Sequence, residues 1–172
     1  MSTREFSRLR NAGSVVGLWV VSAVVGCGGA ANEIKVAPVK GKVTVKGSDP
    51  FEKGLVVFAP KTAGKNLGGS ATTDDQGNFV LRHATGKPGI EPGEYHVFFS
   101  QFRMPDGAPL PDQAGEREPK TPQELGGVQW VPLEYSTMKS TKNPVTVEAK
   151  GGSFDFDLPE LKAQKVTAAR RK

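Results

Sequence analysis

Asp74, Asp75 and Asn78 place three oxygen-bearing side chains within five residues, and hard cations such as calcium take several such oxygens from one loop. The same residues also make a turn. Asp74 can accept a bond from the backbone two residues on, and Gly77 can take the positive φ that a short loop with a bulge demands. A full calcium loop carries more alternating acids and a bidentate Glu, neither of which follows, so the turn is the better reading. His83 and His96 are the only histidines and follow no zinc spacing with Cys or Glu, so both are expected at the surface. No metal or other cofactor is implied. Ser70, Ser100, Ser136 and Ser140 have no motif-level base or nucleophile elbow beside them, which leaves covalent catalysis without a candidate. Trp130 and Tyr135 follow a long loop, with Pro132 fixing the chain between them. They could stack on a sugar or grip a protein partner; the alternative is that Trp130 tucks the loop onto the domain.

The residues around these candidates repeat with a period of two, which calls for strands. Ser70 to Leu81 reads as two extended runs meeting at Asp74 to Asn78, a hairpin, after which Phe79 and Leu81 face one way and Val80 and Arg82 the other. Val39, Gly41, Val43 and Val45 alternate with Lys40, Lys42, Thr44 and Lys46 as a half-buried strand does, and Gly47-Ser48-Asp49-Pro50 turns the chain. Leu55-Val56-Val57-Phe58-Ala59 is a continuous apolar run, which predicts a central strand covered on both faces. Pro92-Gly93 suits the middle of a type II turn, and Tyr95, Val97 and Phe99 form the next inward face. Six prolines from Pro105 to Pro132 rule out a long ladder, so residues 101–132 are a long loop. Val145 and Val147 resume the alternation, and Phe154, Phe156 and Leu158 against Asp155 and Asp157 make the clearest strand.

The 172 residues suit one domain with appendages, and 21 Gly with 13 Pro, about a fifth of the chain, imply many turns and little helix. The formal charge of +5 lies at the ends: Arg4, Glu5, Arg8 and Arg10 carry a net +2, and Lys162, Lys165, Arg170, Arg171 and Lys172 carry +5, so everything between is −2. A near-neutral domain without a basic patch and interleaved aromatics excludes nucleic acid as its partner. The lysines of the first strand read as a solvated face or a guarded edge.

Residues 1–10 carry three arginines and precede an apolar run of about eleven residues, 15–25, which fits the core of a signal peptide and falls short of the roughly twenty a membrane span needs. Val24-Val25-Gly26-Cys27 then resembles the lipobox of bacterial lipoproteins. The resemblance implies a signal peptide over 1–26, a lipid on the Cys27 thiol and a mature chain that starts there, anchored in the cell envelope. Gly28 after the cysteine favours the outer membrane by the same resemblance. Residues 27–37 read as the lipidated end and a tether, and 161–172 as a disordered basic tail. With Cys27 taken by lipid there is no disulfide, so the exported domain stands on hydrophobic burial alone.

Val39-Lys-Gly-Lys-Val43, Gly54 to Pro60, Thr73-Asp-Asp-Gln-Gly-Asn-Phe79 and Pro92-Gly-Glu-Tyr-His-Val97 together resemble the carboxypeptidase regulatory-like, or transthyretin-like, β-sandwich. Pro132-Leu-Glu-Tyr135 and Phe154-Asp-Phe-Asp-Leu158 are similar to the small lipoprotein version found in planctomycete-type bacteria. The resemblance implies an all-β fold, a single seven-stranded antiparallel transthyretin-like (prealbumin-like) sandwich over 38–160, and no settled reaction. The chain departs from the family pattern at residues 139–144, where a Ser-Gly-Leu-like turn is expected. The related hydrolase of the purine pathway ends in a Tyr-Arg-Gly-Ser-type motif, whereas this chain ends Ala-Arg-Arg-Lys, so no hydrolase activity carries over. The expected function is that of a non-catalytic binding or structural module at the envelope, or a carbohydrate- or peptide-binding accessory subunit there. Its partners would be the membrane, through Cys27, and an envelope protein or glycan, met through Trp130 and Tyr135.

Overall fold

Where valines and phenylalanines recur at every second position, each strand can bury one face and leave the other to water. The computed structural model describes residues 34–138 and 143–164, and nearly all of their regular structure is of this kind. In chain order come β1 (Val39–Val45), β2 (Asp49–Pro50), β3 (Leu55–Pro60), β4 (Gly69–Thr72), β5 (Asn78–Val80) and β6 (Arg82–His83). They are followed by β7 (Gly93–Ser100), β8 (Phe102–Arg103), β9 (Val128–Gln129), α1 (Leu133–Ser136), β10 (Pro144–Val147) and β11 (Gly152–Leu158). The lipobox, Cys27, Ser140, the tail beyond Gln164 and most of residues 139–144 lie outside the described residues.

Two sheets carry the core. One has the order β11-β1-β2, with β5 also on β1, and the other runs β10-β7-β3-β4-β6, while β8 and β9 form a separate ribbon. Val39, Val43, Phe79 and Leu158 from the first sheet meet Val56, Phe58, Tyr95, Val97 and Phe99 from the second in one buried cluster. Lys40, Lys42 and Lys46 are exposed, as the alternation requires. All pairings among the described strands are antiparallel except one. β1 and β11, the first and last strands, run parallel from Val39 beside Gly152 to Val45 beside Leu158, which corrects the expectation of a wholly antiparallel sandwich. A parallel pair needs a long crossover, and here the crossover is the rest of the domain.

Four local expectations are corrected. The turn at Asp74 is formed as its chemistry demands, with Asp74 Oδ1 accepting from Gln76 N at 2.9 Å and Asn78 N at 2.8 Å, yet it does not close a hairpin. β4 pairs with β3 and β6 in one sheet while β5 pairs with β1 in the other, so the turn is a corner between sheets. The run after it switches back at buried Leu81, whose N–H donates to Val39 O at 2.9 Å, and continues as β6. Second, Gly93 lies in the ladder opposite Val147, and the positive φ angles of that segment belong to Gly86 and Gly89. Third, β3 is central but covered on one face only: Val56 and Phe58 are fully buried, while Leu55 is 39% exposed. Fourth, the turn after β1 is centred earlier than Gly47-Ser48-Asp49-Pro50, with Lys46 at φ 54° and Gly47 at φ 78° closed by Ser48 N to Val45 O.

Rings make the contact between the sheets. Phe58 lies 5.9 Å from Phe154, 6.2 Å from Tyr95, 6.3 Å from Phe79 and 6.3 Å from Phe156, and Phe99 lies 5.2 Å from Phe156, in mostly tilted or edge-on pairs. The Tyr95 phenol, buried at the rim of this cluster, donates to Glu91 O at 2.6 Å and accepts from Asn66 Nδ2 at 3.1 Å. Burial raises its pKa above the usual 10, and the Asn66 bond opposes that only in part. A phenol held protonated in the fold supports stability in full below its unfolded pKa and loses that support as pH rises through and beyond it. Thermal melts should therefore show an extra alkaline fall in wild type that Tyr95→Phe lacks.

Gly77 has φ 78°, its carbonyl accepts from Val43 N at 2.8 Å, and an added Cβ would collide with the Val43 carbonyl oxygen. Gly77→Val should cost about 3 kcal/mol or more, from backbone strain together with the collision. Gln76→Ala, one residue earlier and exposed, should stay within about 0.5 kcal/mol. Chemical denaturation of the pair measures both, and equal stabilities would refute the turn geometry.

Candidate functional site

The excursion over residues 101–132 leaves the sandwich at the end of β7 and returns to it at Val131. Its base is the β8/β9 ribbon, Phe102 opposite Gln129 and Arg103 opposite Val128. The prolines exclude a longer ladder, so side chains supply the missing acceptors. Gln129 is the centre: its Oε1 accepts from Gln101 N at 2.8 Å, Trp130 N at 3.1 Å and Val131 N at 3.2 Å, and its Nε2 donates to Ser100 Oγ at 2.9 Å. One amide thus ties both ends of the excursion to β7.

The rest is ordered by the same device. Asp106 and Asp112 each accept from the backbone two residues on, at Ala108 and Ala114. The side chain of Gln113 makes two bonds to the backbone of Lys120, and Glu124 accepts from both Thr121 N and Thr121 Oγ1 at 2.7 Å. Those bonds from Thr121 favour the charged carboxylate and hold Glu124 below the usual carboxylate range.

Trp130 is half-buried inside the excursion. Its indole Nε1 donates to Met104 O at 3.3 Å and its ring lies over Gly107, so it fastens the loop to itself and to the ribbon. Tyr135 sits on α1, half-buried, and packs against the common core. The two aromatics therefore do not form one displayed platform. The described start of the tail is also engaged: Lys162 N donates to Trp130 O at 3.1 Å and Gln164 N to Gln129 O at 2.8 Å, with Leu161 against the core. Residues 161–164 belong to the base of the excursion, which corrects their assignment to a disordered tail.

His83 is not a surface residue. It is 2% exposed, with Nδ1 bonded to Thr85 and Nε2 lying 3.4 Å from Glu91 Oε2, because β6 turns its side chain under the Glu91 segment. His96 is half-buried on β7. Ser100 serves Gln129, Ser70 is exposed on β4, and Ser136 lies on α1. No cluster of three metal-ligating side chains occurs among the described residues. Asp74, offered by the sequence as a calcium ligand, spends its carboxylate on Gln76 and Asn78, and bonds from Asn78 lower its pKa most.

Beside these elements lies a cavity of about 710 Å³ between the β2–β3 turn, β8 and the Pro-rich strip of the excursion. Lys53, Gln101, Phe102, Arg103 and Leu110 are among the residues on its walls. Sequence reasoning missed Gln101, Arg103 and Gln129, since a glutamine's value lies in which backbone groups the fold leaves unpaired around it. No protein-family model, curated protein or solved structure compared with this chain matches it.

Gln129→Ala removes an acceptor shared by three backbone N–H groups in a half-buried setting. The expected loss is about 2 kcal/mol, by the usual cost of leaving such groups unpaired. Hydrogen exchange should accelerate most at Gln101 and Val131, less at Trp130, whose N–H also donates to Gln101 O at 2.9 Å, while the β1 and β3 amides remain protected. Uniform acceleration across the domain would show that the excursion does not open on its own.

Proposed function

We propose that this chain is an exported lipoprotein, anchored through Cys27 to the cell envelope with the outer membrane favoured, whose transthyretin-like β-sandwich acts as a non-catalytic binding or structural module. One observation carries the reading. Several of the side chains that chemistry would need are engaged in holding the fold: Asp74 in its turn, His83 through Nδ1 on Thr85, Ser100 on Gln129, and Trp130 on Met104. The ordered excursion over 101–132 is what the domain offers to a partner.

Seven strands are three residues or longer, namely β1, β3, β4, β5, β7, β10 and β11, and they divide between two sheets. That count supports a seven-stranded transthyretin-like sandwich, with the two-residue segments as local extensions. The order of basic region, apolar run and small residues before Cys27 supports the anchor. A second reading, an accessory subunit that binds peptide or carbohydrate in a larger envelope complex, is favoured by the cavity beside β8.

Attachment through one acyl chain is marginal at about 0.8 kcal/mol per buried CH₂, so two or three chains on Cys27 are expected. Cys27→Ala should abolish incorporation of labelled fatty acid and leave an unprocessed precursor. Label retained in that variant would refute the anchor.

A further inference from the structure

A groove of about 420 Å³ lies at the start of β1, between β5, the loop after β6 and the turn before β11. Pro38, Val39, Val80 and Pro88 make its walls largely apolar, and the charged residues on them are Lys40 and Lys150, with no acid. β5 turns Phe79 inward, which sends Val80 out to solvent, 67% exposed, and Pro38 and Pro88 are exposed too. Lys40 lies opposite Val80 in the ladder and shares its face of the sheet. It makes no ion pair among the described residues. Lys150 pairs with Glu148 at 2.9 Å, and Lys87, next to Pro88, donates to Ile34 O at 3.5 Å. Asp155 on β11 spends its carboxylate on Lys42 N at 3.0 Å. Three lysines against one glutamate leave the rim basic.

A displayed apolar strip with a basic rim complements a phospholipid surface, which has anionic phosphates outside and acyl chains beneath. The path of the chain points the same way. The described residues start at Ile34, four before Pro38, and the seven peptide steps from Cys27 to Ile34 span about 24 Å at full extension. A domain of this length is about 35 Å across. An anchor at Cys27 therefore keeps the groove's end of the domain nearest the bilayer. A second copy on the groove would set lysines against lysines across a two-fold axis, which like charge disfavours.

We propose that this groove is a membrane-docking face, on which the domain rests against an anionic phospholipid surface. Pro38, Val80 and Pro88 enter the headgroup layer while Lys40, Lys87 and Lys150 meet the phosphates. β1 runs about 20 Å from the groove to Val45, toward the β2–β3 turn to which Gln101 is bonded, so docking turns the excursion over 101–132 away from the bilayer. The proposal rests on the anchored reading of the chain and adds an orientation to it.

The test uses the full chain with Val80→Cys carrying a polarity-sensitive fluorophore, reconstituted into vesicles of phosphatidylcholine alone or with roughly a third phosphatidylglycerol. A lipidated Cys27 has no free thiol and a parallel Cys27→Ala sample has none at that position, so the label reports residue 80 in both. In anionic vesicles the emission should shift to the blue and be quenched by spin-labelled lipid. The same label at Ser70→Cys, exposed on the other sheet, should stay solvent-like. Lys40→Gln with Lys150→Gln should weaken docking roughly 25-fold, about fivefold for each charge, with the melting midpoint unchanged because both lysines are exposed. Several results would overturn the proposal: equal emission in the two lipids, a shift that survives the double lysine change, or a shift shared by Ser70→Cys. So would a shift that follows protein concentration without lipid, as a second copy gives, or one abolished by inorganic phosphate at constant ionic strength. Fatty-acid labelling of Cys27 is read separately. The unprocessed Cys27→Ala chain keeps the apolar run 15–25 to hold it on the vesicle, so loss of the anchor and loss of the docking face give different results.

Discussion

Phe58 is the residue on which the two sheets depend. It sits on the central strand of one sheet, fully buried, and its ring meets Phe79, Phe154 and Phe156 of the other sheet as well as Tyr95 of its own. The only cysteine, Cys27, precedes the domain, so the sheets are held by burial and ring packing. A fully buried phenylalanine contributes up to about 3 kcal/mol of transfer free energy, and each well-placed ring pair adds about 1 kcal/mol. Phe154 and Phe156 reach this cluster only because β11 lies parallel beside β1, with Gly41 of β1 at Phe154. The closing strand of the chain therefore completes the core that the opening strand begins.

The excursion is stabilised by different physics. It buries little apolar surface of its own apart from Val131, and its order comes from side chains that supply backbone hydrogen bonds where proline prevents a ladder. Gln129 does this for both ends at once, and residues 161–164 add two backbone bonds from the far end of the chain. A loop anchored at its base keeps its walls in place, and a cavity with fixed walls loses less entropy on binding. Thr73 plays the matching part on the sandwich side, with its hydroxyl donating to Phe51 O and accepting from Gly54 N at 2.9 Å, which positions the β2–β3 turn that carries Glu52 and Lys53.

The faces of β1, β5 and β7, the turn chemistry at Asp74 and Gly77, and the central place of the strand that carries Phe58 were legible in the sequence, because each follows from alternation, from an apolar run or from one residue's backbone preference. The sequence left open whether Trp130 is displayed or tucks the loop onto the domain, and the structure has it fasten the loop to itself instead. The cavity was not legible at all. Gln101 and Arg103 acquire meaning from what faces them, the Glu52 carbonyl from 49 positions earlier and the Pro-rich strip that folds back over β8.

By itself, then, the sequence determined that the domain is built of strands, which side of most strands is buried, and where the chain must turn, since these depend on residues at spacings of one to four. Which strands become neighbours, and in which direction, was decided only by the tertiary structure. The turn at Asp74 is equally satisfied whether it joins two strands of one sheet or two sheets, and the alternation of β11 is the same whether it runs parallel or antiparallel to β1. Register and partner are set by how the aromatic rings of the two sheets fill one core. That is a property of the assembled layers, carried by contacts between residues such as Phe58 and Phe156 nearly a hundred positions apart.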